Sequence, residues 1–266
     1  MRKKLAGIMQ KLKWLDPFTY VDLALDKYWP AKNSKKTGVQ EIGYNIIYLV
    51  CAFVFAFAIY QIFAIGLQTA SPIVIVVSES MEPTLYRGDV VFIKGENAVG
   101  IKAQEVILNQ NLSGKNVSEF LKSDFADSSD SQVGLAVDGV EIDGKKTKLN
   151  TEGDIVVYYS TINGAQIIHR AVLKIKANDG VFFLTKGDNK QTNWSIDQEK
   201  TCLKFPDGKQ ACYGPITEFP INSKDIQGKS VLKIPIIGCV KVWVFDDFLS
   251  LISQGKMPSN YRGGLC

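Results

Sequence analysis

A serine at the end of an apolar run and the single histidine of the chain are the side chains best suited to acyl-transfer chemistry. Ser80 follows the apolar residues 72–77 and precedes Met81 and Pro83. A serine hydroxyl is a weak nucleophile at neutral pH, so it needs a base that removes its proton as it attacks. His169 is the candidate base, because an imidazole with a pKa near ~6.5 is mostly neutral at pH 7.

Taken alone, each of these residues has an ordinary structural interpretation. Serine and proline cluster in turns, and a single histidine on a strand is usually structural or solvent-exposed. A zinc site has little to build on, because the chain has one histidine and its five cysteines are not arranged in Cys-x-x-Cys pairs. The sequence therefore predicts no metal and no cofactor. A net charge of +4 also indicates no nucleic-acid partner.

A long run without charged residues indicates a membrane-anchored protein. No Lys, Arg, Asp or Glu lies between Glu41 and Glu79, and the core of this run is residues 43–67. As a helix this core would be roughly 37 Å long, enough to cross a hydrocarbon layer of ~30 Å with some tilt. The run is too long and too uniformly apolar for a buried core helix, and it begins too late for a cleavable signal peptide. We therefore predict a transmembrane signal anchor over 43–67.

The charges before the span predict its orientation. Segment 1–42 is basic, and the lysines and arginines of its first forty residues are Arg2, Lys3, Lys4, Lys11, Lys13, Lys27, Lys32, Lys35 and Lys36. The positive-inside rule places this segment in the cytoplasm and residues 68–266 outside the cell or in the lumen of the endoplasmic reticulum (ER). Apolar residues at helical spacing over 5–15 fit either a helix on the inner membrane face or a solvated tail.

Short strand-like runs dominate the sequence after the span. They are rich in β-branched and aromatic residues, are bounded by turn-forming residues, and cover residues 72–77, 88–95, 153–160, 166–176 and 180–187. Several short strands separated by turn signals are typical of a mainly antiparallel β domain. Asn163-Gly164 predicts a hairpin turn between two of them. The predicted fold class is therefore mainly β, with one N-terminal transmembrane helix.

Two further segments depart from the strand pattern. Residues 101–150 are polar, with clusters of Ser and Asp, and are interpreted as an α-containing insertion on the β catalytic domain, with a helix near 115–123. The final apolar stretch, 234–252, carries one lysine and two aspartates that argue against a second span. A closing strand followed by an amphipathic segment is the prediction there.

A second polar excursion, residues 198–230, contains a candidate disulfide. Cys202 and Cys212 flank a turn at 206–208. Cysteines at the two ends of a hairpin can reach disulfide distance. An extracytoplasmic compartment favours their pairing.

The segment around Ser80 reads Ser-x-Ser-Met-x-Pro-Thr-Leu over residues 78–85 and continues as Arg-Gly-Asp-Val-Val over 87–91. It resembles the nucleophile motif of the type I signal peptidases. Ile-His-Arg-Ala-Val over 168–172 resembles the next motif in the form found in archaeal and ER members, which carry histidine where bacterial and mitochondrial members carry lysine. Leu-Thr-Lys-Gly-Asp-Asn over 184–189 resembles the one after that. Any single motif is weak, but their order after one N-terminal span is specific.

This resemblance implies a role for each matching residue. Ser80 matches the family's nucleophile and His169 its base, while Asp188 matches the first acidic position directly. Asp197 is chosen for the second acidic position, although it lies nine residues beyond Asp188, a longer spacing than in the family. An aspartate on the second ring nitrogen of the histidine would fix its tautomer and stabilise the imidazolium. Lys186 is interpreted as a residue that organises these carboxylates rather than as the base.

Three residues of the nucleophile motif are assigned to oxyanion and substrate binding. Ser78 matches a position whose side chain helps the backbone N–H of the nucleophile to hold the oxyanion in bacterial members. Met81 matches a residue that lies beside the nucleophile and contacts substrate, and Pro83 belongs to the same motif.

The resemblance implies removal of N-terminal signal peptides from exported precursors, after small residues as in Ala-x-Ala sites. Ser80 follows the span closely, so the site should lie near the outer membrane surface, where a peptide would add as a strand beside 72–77. The expected partners are signal-peptide-bearing precursors and membrane lipid, and association with the secretion machinery stays open. Two alternatives also remain: a related peptidase that cleaves one dedicated membrane partner, and an inactive assembly subunit of the same fold.

Overall fold

The structure, a computed structural model, describes residues 16–30, 38–204 and 208–255. These residues fall into two compact units, which divide between Gly66 and Leu67. The apolar pattern predicted as a helix over 5–15 lies outside the described residues, as do Pro206 and Asp207 of the predicted turn.

The first unit is helical. Helix α1, Pro17–Tyr28, begins with proline at its first position, and the Asp16 side chain caps it by accepting from the backbone N–H of Phe18 at 3.0 Å. Helix α2, Gly38–Leu67, contains the predicted span 43–67 and begins five residues before it. Its thirty residues are long and apolar enough to cross a membrane, with a mean hydropathy of 2.4 in the most apolar window and none of that window buried.

An eight-stranded sheet forms the centre of the second unit. Strands are numbered in chain order, and β4–β6 and β10–β11 belong to a smaller sheet and a hairpin described below. The strands of the eight-stranded sheet are β1 (Ile73–Ile75), β2 (Val90–Lys94), β3 (Gln104–Ile107), β7 (Ile155–Ser160), β8 (Ala165–Ala177), β9 (Gly180–Lys186), β12 (Ile221–Asn222) and β13 (Ile226–Ile234). They follow the order β1-β2-β13-β7-β8-β9-β12, with β3 beside the C-terminal half of β8. All of these pairings are antiparallel except that of β3 with β8. The prediction of a mainly antiparallel β domain is confirmed.

The insertion is largely a second sheet. Strands β4 (Leu121–Asp127), β5 (Leu135–Ile142) and β6 (Lys145–Lys148) form an antiparallel three-stranded sheet, called here the insertion sheet. The helix expected near 115–123 is a single 3-10 turn, Val117–Glu119, capped by a reciprocal bond in which Glu119 accepts from the backbone N–H of Asn116. The chain then becomes extended, because Leu121 pairs with Ile142 and buries its side chain in the core.

The predicted disulfide joins the two strands of a hairpin. Strands β10 (Thr201–Lys204) and β11 (Gln210–Tyr213) are antiparallel, and Cys202 lies directly opposite Cys212, to which it is bonded. The final apolar stretch continues past β13 as a helical run: α-helical over Cys239–Lys241, π-helical over Val242–Phe248 and α-helical again over Leu249–Gln254.

Candidate active site

Ser80 lies in a tight turn that two sides of the fold hold in place. After β1, the backbone N–H of Val76 donates to the carbonyl of Asp89 at 2.9 Å, which continues the ladder toward the nucleophile. The turn over 78–85 then closes with a bond from the N–H of Leu85 to the carbonyl of Met81 at 2.9 Å. Met81 is fully buried and packs with the apolar residues of β2 and β7, so the residue after the nucleophile anchors the turn in the core.

The Gly-Asp-Asn loop packs directly against the back of this turn. The backbone N–H of Asn189 donates to the carbonyl of Ser80 at 3.0 Å, and its side-chain amide donates to the carbonyl of Glu79 at 3.0 Å. A Cβ at Gly187 would lie 2.5 Å from the Ser80 carbonyl oxygen. Only glycine permits this approach, so the loop fixes the height at which Ser80 presents its hydroxyl.

The hydroxyl of Ser80 meets the imidazole of His169. Ser80 is half-buried, and its Oγ lies 2.9 Å from Nε2 of His169, which is buried on β8. The Oγ of Ser78 lies 3.1 Å from the same hydroxyl. The structure thus brings together three of the residues selected from the sequence, at hydrogen-bond distances suited to proton transfer from Ser80 to the ring.

Asp197 lies behind the histidine. Its Oδ2 is 2.6 Å from Nδ1 of His169, and it is fully buried. Two hydroxyl groups donate to the same carboxylate oxygen: Thr185 Oγ1 at 2.7 Å and the Tyr158 hydroxyl at 2.9 Å. A second tyrosine, Tyr213, donates to Oδ1 at 3.3 Å. Asp197 and His169 therefore have the geometry of a carboxylate that orients an imidazole.

The strand register explains why these side chains converge. Val156 of β7 is the cross-strand partner of His169, and Tyr158 lies two residues farther along β7. Thr185 of β9 is opposite Ala171, two residues from His169 on β8. Because side chains alternate across a sheet with a period of two, these residues share one face.

Electrostatics keep Asp197 ionised despite its burial. Burial alone would raise the pKa of Asp197, but the charge of His169 and the hydrogen bonds from His169, Thr185 and Tyr158 lower it below its ordinary value. Burial and the nearby Asp197 charge raise the pKa of Tyr158 well above the ordinary value of a tyrosine. Tyr158 therefore stays a hydrogen-bond donor to the carboxylate.

Asp188 has different partners. Its carboxylate accepts from Nε of Arg170 at 2.8 Å and from Nη2 of Arg170 at 2.5 Å, and the hydroxyl of Thr84 donates to it at 2.6 Å. Arg170 in turn donates to the carbonyl of Gly153 at 2.6 Å. The structure therefore does not bring Asp188 to the imidazole: this carboxylate fastens the nucleophile turn to β8.

The two remaining motif residues, Pro83 and Met81, differ in their exposure to solvent. Pro83 is exposed on the rim of a shallow cavity of about 440 Å³ that Tyr86 and Gln191 also line. Met81, by contrast, exposes none of its side chain. Sequence reasoning missed Tyr158 and Tyr213, because no motif marks them, whereas Thr185 lies inside a recognised motif.

Lys186 is buried beside the two carboxylates. The residue is 9% exposed, and its Nζ donates to the carbonyl of Gly187 at 3.0 Å. Burial lowers the pKa of Lys186 to about 8, although the charges of Asp197 and Asp188 oppose this shift.

We expect Lys186→Met to stabilise the folded chain at pH 7 and to have little effect near pH 10. The folded-state pKa is about 8 and the unfolded-state value is near ~10.4, so the unfolded chain binds more protons between these values and stability rises with pH there. At pH 7 the buried charge costs up to about 3 kcal/mol, at ~1.4 kcal/mol per pKa unit. Thermal unfolding of the full chain in detergent at both pH values measures the difference.

The matched control for this prediction is Lys145→Met, at an exposed lysine at the start of β6. It should shift the unfolding temperature little at either pH. A Lys186→Met variant that is less stable than the unsubstituted protein at pH 7 would contradict the prediction.

Comparison with known proteins gives a consistent set of relatives. The chain is 26% identical over 187 residues to the signal peptidase complex catalytic subunit SEC11 of Colletotrichum graminicola, covering 70% of this chain and 72% of that protein. It is 24% identical over 202 residues to the protein of the same name in Schizosaccharomyces pombe, covering 76% and 82%. The corresponding protein of Saccharomyces cerevisiae is 25% identical over 205 residues, covering 76% and 81%. No family profile matches the chain.

The aligned serine, histidine and aspartate have the geometry of a serine peptidase site, and the matching relatives are named as catalytic subunits of a signal peptidase complex. The chain is related to the type I signal peptidases in their ER-type form, and the resemblance stated from its motifs is confirmed.

Proposed function

We propose that this protein is a membrane-anchored signal peptidase in which Ser80 attacks the scissile carbonyl, His169 is the general base and Asp197 orients it. The observation that carries the proposal is the line of three groups, with 2.9 Å between Ser80 Oγ and His169 Nε2 and 2.6 Å between His169 Nδ1 and Asp197 Oδ2. The hydrogen-bonded line of serine, histidine and aspartate argues against an inactive assembly subunit.

The chemistry follows the usual two steps of acyl transfer. His169 Nε2 takes the proton of Ser80 as its Oγ attacks, and the resulting imidazolium is stabilised by Asp197. The tetrahedral oxyanion is held by the backbone N–H of Ser80 and the hydroxyl of Ser78, which lies 3.1 Å from Ser80 Oγ. The imidazolium then protonates the leaving amine. Water, activated by the same imidazole, hydrolyses the acyl-enzyme.

Two strand edges lead to the site and suit an extended peptide substrate. Strand β1, which runs into the nucleophile turn, has β2 as its one partner among the described strands. On β8, residues 165–169 pair with β7 on one side, and the pairing with β9 on the other side covers only 170–177. Among the described strands, the second edge of 165–169, which ends at His169, therefore has no partner. A peptide that adds to these edges is delivered between Ser80 and His169.

The proposed substrates are precursors with a signal peptide and small residues before the scissile bond. The relatives are named catalytic subunits of a signal peptidase complex, so assembly with further subunits is part of the proposal. Helix α2 is the anchor, with the basic segment 1–42 in the cytoplasm and residues 68–266 on the other side of the membrane. That side is the cell exterior in an archaeal host and the ER lumen in a eukaryotic one.

The test is cleavage of a precursor with an Ala-x-Ala site by the full chain reconstituted in liposomes. Cleavage should occur after the second alanine, should be lost when that alanine is replaced by tryptophan, and should persist in the presence of a chelator. The rate should fall at acid pH as the single histidine becomes protonated, because an imidazolium accepts no proton. Activity that rises only at strongly alkaline pH would point to a lysine base instead.

A further inference from the structure

The disulfide-linked hairpin leaves Asp197 and returns to it. Strand β10 begins at Thr201, four residues after Asp197. After β11 the chain comes back, and the backbone N–H groups of Ile216 and Thr217 donate to the carbonyl of Asp197 at 2.6 Å and 3.1 Å. The hairpin is therefore a closed excursion whose two ends both meet at the buried aspartate.

Tyr213 is the residue that this hairpin brings to the carboxylate. It is the last residue of β11 and directly follows Cys212, so the cross-link to Cys202 lies one residue away. Its hydroxyl is 3.3 Å from Oδ1 of Asp197. Among the side chains of the described residues it supplies the hydrogen bond to Oδ1, whereas three donors share Oδ2.

The direction of the Tyr213 hydroxyl is fixed by its second partner. The amide nitrogen of Asn193 donates to this hydroxyl at 3.0 Å, and an ionised carboxylate only accepts. The hydroxyl hydrogen must therefore point to Asp197. Burial raises the pKa of Tyr213 above the ordinary tyrosine value, with the charge of Asp197 acting in the same direction, so the residue stays protonated.

The ring of Tyr213 is held by the insertion sheet. It makes an edge contact with Trp194 at 5.5 Å between ring centroids, and both rings pack in a cluster with Ala136 of β5 and Phe125 of β4. The backbone N–H of Val137 on β5 also donates to the carbonyl of Trp194 at 2.8 Å. The insertion thus supports a side chain that contacts the site, although it supplies none of the three aligned groups.

We propose that Tyr213, held by the cross-linked hairpin and the insertion sheet, is a positioning residue that fixes the carboxylate of Asp197 against His169. The proposal rests on the proposed function, because it assigns a role within the same site. With both oxygens held, the carboxylate cannot rotate, and Oδ2 stays aligned with Nδ1 of His169. Removing the hydroxyl leaves one oxygen of a buried anion without that donor, which concentrates the negative charge that faces the ring.

The chain has one histidine, so the titration of His169 can be followed by NMR without assignment, on the full chain in detergent with 13C-labelled histidine. We expect Tyr213→Phe to raise the midpoint of this titration by several tenths of a pH unit, because the less neutralised carboxylate favours the imidazolium. In the cleavage assay kcat should fall about three- to tenfold with KM unchanged. The double variant Cys202→Ser/Cys212→Ser should shift the midpoint in the same direction by less.

The matched control is Tyr159→Phe, at a neighbour of Tyr158 that is 54% exposed, and it should change neither reading. A midpoint that is unchanged or lower in Tyr213→Phe, or a loss confined to KM, would overturn the proposal. An unchanged midpoint in the double cysteine variant would overturn the part assigned to the hairpin. If the unsubstituted protein cleaves no precursor, the proposed function fails, and the titration still decides the role of Tyr213.

Discussion

Substitution of Ser80 or His169 by alanine is expected to abolish precursor cleavage, with each change lowering kcat by roughly 10⁴- to 10⁶-fold. The hydroxyl and Nε2 are 2.9 Å apart, so removal of either group leaves no path for the proton of the nucleophile. Because the two groups act as one unit, the double variant should cleave about as slowly as the slower of the two single variants. Single-turnover cleavage by the full chain in liposomes measures all three rates.

The control for this experiment is Ser129→Ala, at an exposed serine in the insertion, which should cleave at the unsubstituted rate. A serine-directed acylating probe gives a second reading that needs no precursor: it should label the unsubstituted protein and fail to label Ser80→Ala. Retention of full cleavage in either Ser80→Ala or His169→Ala would rule out the proposed mechanism.

Much of the fold was predictable because its strands are short, β-branched and bounded by turn residues. The run predicted over 166–176 is β8, Ala165–Ala177, and the run over 180–187 is β9, Gly180–Lys186. The insertion was harder to predict. Strand β4 reads Leu-Lys-Ser-Asp-Phe-Ala-Asp, whose polar residues indicate a loop, yet its pairing with β5 and the burial of Leu121 make it extended.

The candidate site also contains residues that the sequence predicts and residues that it does not. Ser80 and His169 could be found because each lies in a motif whose spacing is local in the chain. Tyr213 could not, because its approach to Asp197 depends on a hairpin that leaves and returns, and no local pattern encodes that path. Met81 shows a related limit: the motif assigned it to substrate contact, a role that stays a prediction, while the structure places its side chain wholly in the core.

The two aspartates supply the prediction that separates orientation of the base from support of the scaffold. We expect Asp197→Asn to lower kcat by roughly 10³- to 10⁴-fold. The amide would donate to Nδ1 of His169, so the ring proton would move to Nε2 and the ring could not accept the proton of Ser80. Asp188→Asn should keep kcat within about tenfold, because Asp188 pairs with Arg170 and Thr84 instead.

Asp188→Asn should act on stability. The Asp188–Arg170 pair is partly buried, with side chains 16% and 13% exposed, and loss of one charge leaves the guanidinium without its partner, at a cost of about 1–3 kcal/mol. Thermal unfolding and single-turnover cleavage of both variants, measured side by side on the full chain, distinguish the two roles. A loss of activity in Asp188→Asn as large as that in Asp197→Asn, with unchanged unfolding, would instead assign the orienting role to Asp188. The expected pattern separates the carboxylate behind the imidazole from the one that fastens the nucleophile turn to β8.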